Sequence, residues 1–141
     1  MILADVNVLL YAFRTDSPKH SEFKNWLEAV VNGDMAYGMS PHVLCSLMRI
    51  ATHPRIYVQP SRWEEVQEFA DLLLAQPHCQ IVVPGSRHWG IFCHLCRSVG
   101  ATGNLVQDAW LAAMAIEAGC EWITTDRDFA RFEDLRWRTP F

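Results

Sequence analysis

Four aspartates, Asp5, Asp108, Asp126 and Asp128, are the residues of this chain whose types and spacing could do chemistry. Asp5 ends the apolar run MILA, Asp126 ends WITT, and Asp128 follows after a single arginine. Taken alone, an aspartate at a strand end is a turn residue, because Asp closes strands and opens helices. Asp108 argues for more. With Leu111, Ala112 and Ala115 it takes positions i, i+3, i+4 and i+7 of a helical pattern, so it falls on the apolar stripe. An acid favoured there only by the helix dipole would be exposed in the first turn. A buried carboxylate is expensive unless it is paired or bound to a cation. Carboxylates converging on one place would repel by roughly 3 kcal/mol per pair at ~5 Å and an effective dielectric of ~20. No Lys or Arg is placed in the sequence to neutralise all of them. A hard divalent cation would, and Mg²⁺ or Mn²⁺ prefers such an oxygen-rich shell. Its chemistry would be activation of water and stabilisation of charge on a phosphate.

The elements that must position these acids follow from the patterning. Short apolar runs alternate with amphipathic stretches, the signature of an α/β fold. Strands are expected at the start of MILAD, in MAYGMS, in CQIVV, in EWITT and in DLRWR. Helices are expected from Ser17 to Val31 (Pro18 in the first turn, Gly33 at the stop), after Ser40-Pro41, after Ser61 with Glu64 as a capping box, after Ser86, and over GNLVQDAWLAAMAIEAG. In that last helix Asn104 is the expected cap and Gly119 the terminator. Helical crossovers require a parallel sheet, whose strand C-termini share one edge, and α/β sheets place their sites along that edge. Asp5 and Asp126 would then share a rim.

Composition narrows the class. The chain has 141 residues, one domain's worth, of which 50% are apolar and 20% charged. No signal-like segment opens it and no run of about 18 apolar residues exists to span a membrane, so the expectation is a cytoplasmic protein. Five cysteines, an odd number, argue against a disulfide framework. The net charge of −4 does not announce a nucleic-acid binder, but it does not exclude a nuclease either. An acidic metal cluster lowers the sum without repelling RNA once the ion is in place.

The stretches ADVNVLLYAF, GNLVQDAWLAAMAIEAG and TTDRDFARF resemble the PIN-domain ribonucleases and, more narrowly, the VapC toxins of VapBC toxin–antitoxin systems. LMRIATHPRIY and LRWRTP extend the resemblance over nearly the whole chain. It implies one PIN domain over residues 1–141, with a parallel sheet of four to five strands flanked by helices. It implies an endoribonuclease toxin that hydrolyses phosphodiester bonds in RNA with Mg²⁺ or Mn²⁺ and inhibits translation or growth. A homodimer held in check by a VapB-like antitoxin is implied as well. Position by position, Asp5, Asp108 and Asp126 match the family's metal-binding acids, and Asp128 matches a further catalytic acid. Asn7 matches an Asn that supports the first acid, and Thr124, with Thr125 as the alternative, matches a hydroxyl beside the last. Ser46 stands where the family usually has Glu, and no other acid lies between Asp34 and Glu64. That departure keeps open a second reading, a degenerate PIN domain that binds RNA or a protein partner without cleaving. Its hydroxyl could still hold a water on the metal. Arg49, one turn on, could contact phosphate or pair with a site acid, and Arg127 could contact RNA from between two candidate ligands.

CHLC at Cys93–Cys96, with His88 and His94 nearby, invites a zinc site. Yet Trp89, Phe92, Cys93 and Cys96 lie on a helical stripe expected to face the core, and no second CxxC or HxxxH completes four ligands. His42 and His53 read as surface or cap residues, and Arg131, Arg136 and Arg138 as either an RNA path or a solvated surface.

Overall fold

The protein is described by a computed structural model covering residues 1–141. Its five short strands are β1 (Ile2–Ala4), β2 (Tyr37–Met39), β3 (Cys79–Ile81), β4 (Glu121–Ile123) and β5 (Trp137–Arg138). Six α-helices connect them: α1 (Val6–Phe13), α2 (His20–Val31), α3 (Pro41–Ala51), α4 (Trp63–Leu74), α5 (His88–Val99) and α6 (Asn104–Glu117). A 3-10 helix follows β4 at Arg127–Arg131. The sheet runs β3-β2-β1-β4-β5 with every pair parallel, as the alternation of patterns requires. Because the chain steps outward from β1 to β3 and then returns to the other side of β1, right-handed crossovers place α1–α4 and α5–α6 on opposite faces. The direction reverses between β1 and β4, where Ala4 lies beside Ile123 and the Asp5 N–H donates to the Ile123 carbonyl at 2.8 Å. Open parallel sheets form their crevice at such a reversal.

Local differences from the sequence expectations have physical causes. Helix α1 begins directly after Asp5, a helix that the nearly uniform apolar run VNVLLYAF conceals for want of polar contrast. Helix α2 starts at His20, not at Ser17, because Lys19 turns left-handed (φ 56°) just before it. It ends at Val31 with Asn32 as the cap residue, ahead of Gly33. Ser40 caps α3 by accepting from the His42 N–H at 3.2 Å, with Pro41 in the first turn. Ser61 does not cap α4; its hydroxyl accepts from the Arg14 guanidinium at 2.9 Å, and α4 begins one residue beyond Arg62. Arg14 is buried, forks onto Asp16, donates to the Gln59 carbonyl and stacks on Tyr57, which fastens the 52–62 connection to the end of α1. Ser86 does not cap α5 either. The Glu117 carboxylate, at the far end of α6, accepts from the Gly85 and Arg87 N–H groups at 2.6 and 2.8 Å. On α5 the buried stripe is shifted from the expected one. His88 and Leu95 are buried with Ile91, Phe92 and Val99 packed beside them, whereas Trp89 is 65% exposed. Gly103, not Asn104, occupies the cap position of α6, and Gly119 (φ 67°) ends its turn.

The core fills both sides of the sheet, with Leu3, Tyr37, Met39 and Trp122 from the strands and Leu9, Leu47 and Met114 from the helices fully buried or nearly so. In α6 the buried Ala109, Ala112, Ala113 and Ala115 permit close approach to β4 and α5. Gly38 serves the same purpose in β2: an added Cβ would stand 2.9 Å from Val82 Cγ2 and 3.3 Å from the Ile2 carbonyl oxygen. Overpacking of this kind costs about 1–3 kcal/mol. Gly38→Ala is therefore expected to lower the unfolding free energy by that amount, read as a lower urea midpoint, and Val82→Ala in the same chain to recover part of it; equal midpoints for wild type and Gly38→Ala would show that the strand has slack.

Candidate metal centre

Asp5 closes β1 and caps α1 with one carboxylate. Its Oδ1 accepts from the Val6 N–H at 2.6 Å, and its Oδ2 accepts from the Thr124 hydroxyl at 2.6 Å and from Asn7 Nδ2 at 3.0 Å. Three donors leave about one of its four lone-pair directions free for an ion. The Thr124 hydroxyl is fully used. It donates to Asp5 and accepts from Asn7 Nδ2 at 3.1 Å and from the Asp126 N–H at 3.0 Å, at a residue with no exposed surface. Asn7 in turn accepts from the Thr125 N–H through Oδ1 at 3.3 Å. Asp126 opens the 3-10 helix and accepts from the Asp128 N–H at 2.9 Å. One hydrogen-bonded chain thus links Asp5, Asn7, Thr124, Asp126 and the backbone of Asp128. Thr124, rather than Thr125, contributes the hydroxyl.

Asp108, half-buried on the second turn of α6, completes the constellation. Carboxylate oxygens of Asp108, Asp126 and Asp128 lie within 4.8 Å of one another. Asp5 faces the same group: burial pushes its carboxyl up from the ordinary 3.8 to about 6, against the Thr124 and Val6 hydrogen bonds, and the charges of Asp108 and Asp126 add to the rise. Asp108 is likewise pushed up to about 6, by burial first and then by Asp126 and Asp128. None of the four acids forms a salt bridge; all the ion pairs of the protein lie elsewhere. Asp5 is buried, Asp108 and Asp126 are half-buried and Asp128 is exposed; mutually repelling and unneutralised oxygens of this kind are the donor set that a hard divalent cation fits.

Ser46 is half-buried on α3 and hydrogen-bonds to none of these acids, so it adds neither charge nor a polar link to them. The third close carboxylate is Asp128. Arg49 and Arg127 are exposed and pair with no carboxylate, which leaves Arg49 without the salt bridge that was one of its two readings. Arg136 and Arg138 are committed to the Gly119 carbonyl and to Glu121. The five cysteines are free, and none belongs to a cluster of potential metal ligands. No local spacing places His42 near the centre, yet its Nε2 lies 2.7 Å from the side-chain amide of Gln107, the neighbour of Asp108. The only available signal was the shared helical face of His42, Ser46 and Arg49, spaced i, i+4 and i+7.

Two outcomes follow from this geometry. Thr124→Val leaves the Asp126 N–H without its acceptor, and takes one acceptor from Asn7 and one of its three donors from Asp5. Loss of supporting contacts of this kind lowers metal affinity about 10- to 100-fold, to be read by calorimetry with Mn²⁺, whereas Thr124→Ser should bind like wild type. The raised acids also act on stability. A carboxyl whose folded pKa exceeds its unfolded value weakens the fold once ionised: the penalty is complete above about 6, shrinks as pH falls and is absent below about 4. For Asp5 the rise corresponds to roughly 3 kcal/mol. In EDTA, Asp108→Asn is expected to melt higher than wild type at about pH 7, with the gap closing towards about pH 4; a variant that melts lower at neutral pH would contradict the repulsion.

Comparison with known proteins agrees with this architecture. The model of the PIN domain family matches residues 2–135. The VapC ribonuclease Mb2897 of Mycobacterium bovis is 41% identical over 140 residues, covering 99% of this chain and 95% of that protein. Ribonuclease VapC31 of Mycobacterium tuberculosis is 39% identical over 140 residues, with 99% of both chains covered. Among solved structures, VapBC2 from Rickettsia felis bound to a DNA fragment of its promoter superposes with a TM-score of 0.72 at 20% identity, covering 99% of this chain and 98% of that one. VapBC-1 from nontypeable Haemophilus influenzae gives 0.71 at 20% identity, with 99% and 98% covered. The chain belongs to the PIN-domain family, among the VapC ribonucleases.

Proposed function

We propose that this protein is a Mg²⁺- or Mn²⁺-dependent endoribonuclease, the toxin of a toxin–antitoxin pair. The observation that carries the reading is the unneutralised set Asp5, Asp108, Asp126 and Asp128, placed at the reversal point of the sheet in a chain whose relatives are named ribonucleases. Asp5, Asp108 and Asp126 would hold the ion. Asp128 would supply the charge that Ser46 does not, and no observation favours a protein that binds without cleaving. A divalent ion there would activate water and draw charge from the phosphate. The residues of the chain do the rest. Thr124 and Asn7 fix the Asp5 carboxylate in one orientation, and the Asp126 N–H anchored on Thr124 fixes the second acid relative to the first. Arg127 and Arg49, exposed and unpaired, are free to meet backbone phosphates of RNA. Complexes named VapBC among the structural neighbours support a VapB-like antitoxin as partner; a homodimer belongs to the same proposal. No helix is long and apolar enough to cross a membrane, in keeping with a cytoplasmic site of action.

The test is cleavage of cellular RNA with and without Mn²⁺, with 5′ ends mapped after induced expression. Asp5→Ala and Asp126→Ala should abolish cleavage, Asp128→Asn should slow it, and Mn²⁺ binding to the metal-free protein should weaken as pH drops through about 6, where protons on Asp5 and Asp108 compete with the ion. Cleavage that survives EDTA or both alanine substitutions would sink the metal reading. If wild type cleaves nothing while Ser46→Glu does, the missing charge is not supplied by Asp128.

A further inference from the structure

Beside the acids lies a hollow of about 360 Å³ that the hydrolysis itself does not use, lined among others by Tyr11, Lys19, Phe23, Thr125, Pro140 and Phe141. It adjoins the metal centre through the backbone. Thr125 stands between Thr124 and Asp126 and donates its N–H to Asn7, and Tyr11 lies one turn beyond Asn7 on α1. Its apolar wall is aromatic: the Phe23 ring meets Tyr11 edge-on at 5.0 Å and Phe141 at 4.9 Å between centroids. Phe141 remains 56% exposed, so its ring has surface to offer a ligand. At the rim, exposed Lys19 is the one non-glycine residue of the protein with positive φ, and its ammonium pairs with no acid. Backbone strain held at such a point concentrates at ligand clamps.

Aromatic rings, a free cation and hydroxyl-bearing Thr125 next to a phosphate-hydrolysing centre match the parts of one nucleotide. Single-stranded RNA is recognised by unstacked bases lying on aromatic side chains, with cations on the backbone. We propose that this hollow is a nucleobase subsite, which takes one unpaired base adjacent to the scissile phosphate, with Phe141 and Tyr11 against its face and Lys19 on the next phosphate. This inference rests on the ribonuclease reading, and it makes the hollow, not the acids, the source of sequence preference.

The test uses Asp108→Asn protein, in which binding is read without cleavage, and single-stranded RNA oligonucleotides carrying one abasic nucleotide at successive positions. Fluorescence anisotropy should show one position at which removing the base weakens binding about tenfold, the scale of a single stacked base. Adding Phe141→Ala or Lys19→Ala, both at exposed positions, should weaken the intact oligonucleotide, and with Phe141→Ala the abasic position should no longer matter. Base dependence that persists undiminished in Phe141→Ala, or is absent at every position, would overturn the proposal. Absence at every position is also the result if the hollow takes a side chain of a partner protein. In active protein, Mn²⁺-dependent cleavage without base dependence would remove the subsite and keep the nuclease. Base-dependent binding without cleavage would do the reverse.

Discussion

The hydrogen bond from Thr124 to Asp5 is the constraint on which the site depends. It spans the junction of β1 and β4 and joins a buried carboxylate to a hydroxyl with no exposed surface. Neither group would be tolerated there alone, since an unpaired buried polar group costs on the order of 1–3 kcal/mol and a charge more. Together with Asn7 they form a closed set in which each hydroxyl and amide position has a partner. The strand register does the positioning: Ala4 beside Ile123 brings the residues following each strand to the same level.

The helices accommodate this arrangement rather than create it. Helix α6 presents small side chains to β4, so its axis can come close enough for Asp108 to reach the rim. Its position is held where α5 begins. Buried His88 packs edge-on against Trp110 and hydrogen-bonds to the Trp110 carbonyl at 2.9 Å, while Glu117 holds the loop that leads into α5. A carboxylate from one helix thus takes the capping role that a serine in the loop would ordinarily play.

Much of this was legible in the residue pattern. The parallel α/β sheet followed from alternating periodicities, and strand-end aspartates at Asp5 and Asp126 pointed to one edge because parallel strands share it. Asp108 stood out as a carboxylate on an apolar stripe. What remained hidden depended on three-dimensional competition for donors and acceptors. Ser61 and Ser86 each precede a helix in a capping context, but Arg14 claimed the first and Glu117 replaced the second. Helix α1 was invisible because its residues are apolar on nearly every face, being packed by the sheet, α2 and α3. The stripe of α5 shifted because His88, not Trp89, meets Trp110 of α6. Proximity of His42 to Gln107 is a contact between separate helices that no local spacing encodes.

The two ends of the Thr124–Asp5 bond are 119 residues apart along the chain. During synthesis β1 leaves the ribosome well ahead of its neighbour β4, and Asp5 precedes by those 119 residues the hydroxyl that orients it. Chains grow at about 5–20 residues per second, so a nascent chain spends seconds in a state that has Asp5 but no centre. Any activity is thereby withheld until β4 and the 3-10 helix after it have been made, a delay set by topology and independent of any inhibitor.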